Sequence, residues 1–177
     1  MIIHAILWTS ELYHDFIVVE GLWQTVLFIV VACMPAWKTG RISYVDVAWP
    51  WGLALIGVLV LLFADGWFYR RIFIGIIYMM IGARMGMGAI VLWSMGRLNK
   101  EFPRYEYRHL IWKKANVTNV RLEVQIEIIK QLIANISCML IPALALGFDK
   151  TEGPYVLEVI GLLICGGAWT FESIADV

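Results

Sequence analysis

Residues 72–96 read IFIGIIYMMIGARMGMGAIVLWSMG, polar only at Arg84 and Ser94. At about 1.5 Å per residue, a helix over this stretch crosses the roughly 30 Å hydrocarbon core of a bilayer with some tilt to spare. The stretch therefore reads as a transmembrane helix. A guanidinium near its centre costs from about 2.5 to more than 10 kcal/mol, so Arg84 needs a carboxylate, a water-filled cavity or another polar partner. Charges so placed mark functional or cavity-lining positions; the alternative is a structural ion pair, with Asp46 as the foremost partner.

The rest of the chain has the same character. Of its 177 residues, 61% are hydrophobic and 16% charged, and the mean hydropathy is +0.76. A soluble domain is about half apolar and about a quarter charged, so the composition indicates an all-α polytopic transmembrane helical bundle. The net charge is zero and no basic tail or low-complexity segment is present, which argues against nucleic acid as a partner. Cys33, Cys138 and Cys165 fall in apolar runs and read as reduced, buried hydrophobes. His4, His14 and His109 lack metal-ligand spacing, so no metal site is predicted.

Five spans are predicted, at about residues 22–37, 47–64, 72–96, 132–148 and 155–171. Residues 1–21, interrupted by Glu11, His14, Asp15 and Glu20, form an interfacial lead-in ahead of a transmembrane domain over 22–177. Pro35 kinks or ends the first span, and residues 65–71 form a short turn. Gly82 and Gly86 stand four apart, in the arrangement that lets helices approach closely. Glu127, Gln131 and Asn135 share one helical face, with Asn135 inside the membrane and able to bond between helices. Asp46 opens the second span beside Trp49 and Trp51. It reads either as a cap with interfacial anchors or as a polar partner deeper in a site.

The main polar loop, residues 97–121, carries Arg97, Lys100, Arg104, Arg108, Lys113, Lys114 and Arg121, interleaved with Phe102, Tyr105, Tyr107 and Trp112. Such a mixture contacts lipid headgroups or grips an anionic cofactor, and composition does not separate the two. With the amino terminus outside, nine Lys and Arg lie on the loop side and three, Arg70, Arg71 and Lys150, on the other. That excess places the loop and the carboxyl terminus in the cytoplasm.

Asp46-Val-Ala-Trp49 ahead of a glycine, Gly82-Ala-Arg84 in the next span, Tyr105-x-Tyr107 in the loop and Phe171-Glu172-x-Ile-Ala-Asp176 at the end recur in order and at matching spacing. Together they resemble the steroid 5-alpha-reductase-like family of membrane proteins, from about Tyr44 to the last residue. The resemblance implies a seven-helix bundle and NADPH-dependent reduction of a carbon–carbon double bond in a sterol-like or other lipid. It implies that Asp46 and Arg84 are catalytic residues near the substrate. It also implies that Arg97, Asn99, Arg104, Tyr105, Tyr107 and Arg108 face the cofactor, with Glu172 and Asp176 on its adenosine side.

Three departures qualify that expectation. The loop reads Arg104-Tyr105-Glu106-Tyr107 where the family has acid-Tyr-Arg-Tyr, so a phosphate contact at Glu106 is lost. Ile81 stands where steroid reductases place a tyrosine before the intramembrane arginine. The family's cofactor signature lies beyond Asp176, and the sequence stops one residue later, which leads to the expectation of a five-helix amino-terminal portion, oligomeric or awaiting its carboxyl-terminal part. Two further readings compete: a non-enzymatic lipid-binding or scaffold protein, and a membrane methyltransferase-like protein using S-adenosylmethionine.

Overall fold

The structure, a computed structural model, describes residues 11–175. Helix α1 (Glu11–Phe28) continues through a π-helical segment (Ile29–Cys33) into α2 (Met34–Thr39); α3 is Val45–Phe63 and α4 Phe68–Ser94. A 3-10 turn (Arg97–Asn99) leads to α5 (Pro103–Lys114) and α6 (Val120–Ala134). A second π segment (Asn135–Met139), α7 (Leu140–Gly147) and α8 (Val156–Ala175) follow. Among the described residues, five helical stretches are long and apolar enough to cross a membrane: Tyr13–Thr39, Val45–Phe63, Phe68–Ser94, Val120–Gly147 and Val156–Ala175. They fit an integral membrane protein and the predicted all-α bundle.

The span boundaries differ from the sequence reading where polar residues are buried by distant partners. The first span begins at Tyr13, so the lead-in expected over 1–21 shares its residues from Tyr13 onward with the span; residues 1–10 and Asp176 lie outside the described residues. Pro35 does not end that span. Its missing N–H would have bonded the carbonyl of Val31, which lies in the π segment, and the widened turn absorbs the defect. Pro142 follows the second π segment in the same way, with Cys138 as the residue four before it. Gly40, in the left-handed conformation with φ 73°, then closes α2.

Residues 68–71, expected in a turn, belong to α4, because Arg70 is anchored rather than solvated. Its Nε meets Glu158 Oε1 at 2.5 Å, and its terminal nitrogens donate to the carbonyls of Thr151 and Gly153 at 2.7 Å each. With its side chain 4% exposed, this guanidinium binds the 149–155 turn and the start of α8 to α4. The basic loop, too, is largely helical, as α5.

Glycines set the distance between α3 and α4. A Cβ on Gly82 would lie 2.5 Å from the Pro50 carbonyl oxygen, and one on Gly57 would lie 2.6 Å from that of Gly75, while Gly86 packs on the Trp51 indole. Two apolar clusters result. One, toward the basic-loop end, centres on Phe28, Ala32, Ala48 and Ile128; the other, toward the opposite end, on Phe16, Ile56, Leu140 and Leu144. Helix α8 has none of its residues buried.

Candidate functional site

At the basic-loop end, the entry to α3 is held by a residue that sequence reading did not single out. Glu101 accepts hydrogen bonds from the backbone N–H groups of Ile42 at 2.6 Å and Ser43 at 3.0 Å, and from the Ser43 hydroxyl. His109 Nε2 lies 3.3 Å from Oε2, the oxygen that also accepts from Ile42. A carboxylate so placed satisfies N–H groups in the turn just ahead of α3 and suits the positive end of the α3 dipole. Ser43 Oγ in turn accepts from the Phe102 N–H at 3.1 Å, and the Arg41 guanidinium donates to the Leu98 carbonyl. The 40–44 and 97–102 connections are thus one unit.

Asp46, in the first turn of α3, is gripped by the first turn of α5. The Tyr105 hydroxyl donates to Asp46 Oδ1 at 2.8 Å and Arg104 pairs with Oδ2. Burial and then the Asp46 charge push the Tyr105 phenol above its ordinary value, so it stays protonated; the hydrogen bond to Asp46 holds Arg104 even more firmly charged. Asp46 is therefore both a helix-start acid and a polar partner. Arg108 reaches Glu127 Oε1 at 3.2 Å, and Lys130 reaches Oε2 of the same carboxylate at 3.5 Å. Tyr107 points outward, 65% exposed, and Glu106 is exposed beside it.

Arg84 is satisfied from another direction. Its Nη1 lies 2.9 Å from Glu172 Oε2, and its guanidinium stands 5.2 Å over the Trp169 ring. The pairing expected with Asp46 is thus replaced by one with α8, because Asp46 is drawn to α5. Arg70 and Arg84 are fourteen residues apart on α4, as are Glu158 and Glu172 on α8. Fourteen residues are close to four helical turns, so α4 and α8 run side by side in the same direction, joined by matched charges. That repeat was the available signal for the Arg84 partner.

A cavity of ≈ 650 Å³ adjoins the Asp46 cluster through Phe102 and is lined by Met95, Gly96, Arg97, Asn99, Lys100 and Phe102. Gly96 is left-handed, φ 71°, and a Cβ there would meet Asn99 Nδ2 at 2.9 Å, so the turn requires glycine. Among the described residues, the side chains of Arg97 and Lys100 make no hydrogen bond, ion pair or ring contact. These are the free cations of the site. A second, apolar crevice of ≈ 580 Å³ lies between the first three spans, lined by residues including Trp23, Val26, Trp51, Ala54, Met79 and Ala83.

A sequence model of the family described as "Protein of unknown function (DUF1295)" matches residues 27–177. No curated protein and no solved structure matches the chain.

Proposed function

Because the chain belongs to the DUF1295 family, we propose that it is a steroid 5-alpha-reductase-like membrane protein that reduces a carbon–carbon double bond in a lipid, using NADPH. The observation that carries this reading is the loop-side cavity, where Arg97 and Lys100 are exposed and uncommitted beside Asn99. Free guanidinium and ammonium groups with an amide suit phosphate oxygens. Arg104 and Arg108 serve differently. Their charges are committed to Asp46 and Glu127, so they position α5 over the cavity rather than neutralise an anion.

When bound, NADPH supplies a hydride. The chain must hold its phosphates, orient the lipid and polarise the alkene. Arg84, half-buried beside α8, would donate to the carbonyl of an enone in exchange for part of its contact with Glu172. Glu172 would lie on the cofactor side as the family resemblance implies, and the apolar crevice offers walls for a sterol-like or acyl substrate.

The test is binding of NADPH to the purified protein in detergent, by fluorescence or calorimetry, with S-adenosylmethionine for comparison. Saturable NADPH binding, weakened about 10- to 100-fold by Arg97→Ala, is the expected result. Preference for S-adenosylmethionine would replace the reading with a methyltransferase-like one. A folded protein that binds neither would make it a lipid-binding or scaffold protein, which the purely apolar character of the crevice favours.

A further inference from the structure

Three side chains at mid-depth of the bundle are polar and wholly buried. Glu20 and Gln24, one turn apart on α1, and Asn135, at the start of the second π segment, each have 0% exposure. All lie between the two apolar clusters: Glu20 and Gln24 between Phe16 and Phe28, Asn135 between Ile128 and Leu140, and Gly52 opposite them between Ala48 and Ile56. Gln24 and Asn135 meet at Gly52, since a Cβ there would lie 2.6 Å from Gln24 Oε1 and 2.3 Å from Asn135 Nδ2; Glu20 adjoins them through Gln24.

The amide donors of this group are turned to the α3 backbone. Gln24 Nε2 donates to the Gly52 carbonyl at 2.8 Å, and Asn135 Nδ2 to the Trp49 carbonyl at 3.4 Å. The acceptors are left over. Both carboxylate oxygens of Glu20, Gln24 Oε1 and Asn135 Oδ1 are buried without a hydrogen bond of good geometry, the Gln24 amide being a polar neighbour of Glu20. Nor does any described Lys, Arg or His form an ion pair with Glu20. Buried polar groups are ordinarily matched, and a carboxylate in hydrocarbon is the costliest to leave unmatched.

We propose that Glu20, Gln24 and Asn135 form an intramembrane binding site for a monovalent alkali-metal cation. Oxygen-only ligands suit a hard cation. A single carboxylate matches a single positive charge, whereas a divalent ion would leave net charge in the hydrocarbon. A proton on Glu20 would add one donor to a group with four unmatched acceptors, whereas a cation takes several oxygen ligands at once. The backbone is irregular at this depth as well. Pro50 removes one N–H from the otherwise continuous α3 just before Gly52, and the π segment starts at Asn135, the kind of distortion that accompanies ion sites in membrane helices. The site is separate from the loop-side cavity and independent of the NADPH reading.

The test is thermal unfolding of the full chain in detergent, at fixed pH, in sodium, potassium or choline chloride of equal ionic strength. Sodium or potassium should raise the melting temperature saturably, by about 3–6 °C over choline, and Glu20→Gln should abolish the rise. Equal melting in all three salts, or a rise that persists in Glu20→Gln, overturns the proposal. So does melting that responds to pH alone and loses that response in Glu20→Gln, which would identify a neutral acid. If Glu20→Gln does not fold, equilibrium dialysis of the natural chain with radioactive sodium and rubidium decides: about one equivalent bound supports the site, and none refutes it.

Discussion

Tyr105 keeps its proton because burial and the neighbouring Asp46 carboxylate both oppose a second negative charge there. The unfolded chain releases that proton near the ordinary value of 10.0, while the folded chain retains it to higher pH. Between those points the folded state binds more protons, so the contribution to stability is complete below the ordinary value and lost as pH rises through the folded one. Stability measured from about pH 8 upward should therefore fall more steeply in the natural protein than in Tyr105→Phe, beginning near about pH 10. Identical slopes would remove Tyr105 from this role. At neutral pH the same substitution should cost about 1–2 kcal/mol, by leaving Asp46 one donor short. Asp46 itself was legible from its place ahead of Trp49 and Trp51. Its partners were not, since Arg104 and Tyr105 are 58 and 59 positions away and separated from it by two spans. Glu101 was invisible for the same reason, because the N–H groups it caps are those of Ile42 and Ser43.

Between elements, close approach of α3 and α4 depends on the absence of side chains at particular turns. A Cβ on Gly82 would lie 2.4 Å from the Ala54 nitrogen and 2.5 Å from the Pro50 oxygen, both backbone atoms that a rotamer change cannot clear. Gly88, on the same helix, faces open space. Gly82→Ala should therefore destabilise the protein by about 1–3 kcal/mol, and Gly88→Ala should be neutral or slightly stabilising through helix propensity. Equal melting temperatures for the two variants would show that the helices can separate at no cost. The glycine spacing made this contact legible in advance. The span ends were less so. Hydropathy rejects Glu20 and Arg70 as membrane residues, yet each is buried, and for Arg70 the partner Glu158 lies on another helix. Pro35 reads as a kink or an end, because nothing in composition announces the π segment that accommodates it.

At the scale of the whole molecule, the two ends of the bundle differ in charge, and the difference predicts an orientation. Lys38, Arg41 and the seven basic residues of the 97–121 segment gather at one end, with the starts of α3 and α6. Arg70, Arg71 and Lys150 are at the other, and all three are engaged: Arg70 with Glu158, Arg71 with the Ala64 carbonyl at 2.8 Å, and Lys150 with Asp65 at 2.5 Å. Basic residues near span ends are retained on the cytoplasmic side, so the end carrying α5 should face the cytoplasm and the 149–155 turn should face outward. The loop-side cavity would then open where NADPH is made available, and the Arg70 staple would seal the opposite face. Single cysteines at Lys114 and Lys150, in a background lacking Cys33, Cys138 and Cys165, separate the alternatives. A membrane-impermeant maleimide added to intact cells should label Lys150→Cys at once, and Lys114→Cys only after permeabilisation. The reverse pattern would invert the molecule and place Arg97 and Lys100 away from any cytoplasmic cofactor. That outcome would sink the reductase reading even if the fold and every contact described for Asp46, Arg84 and Glu101 were unchanged.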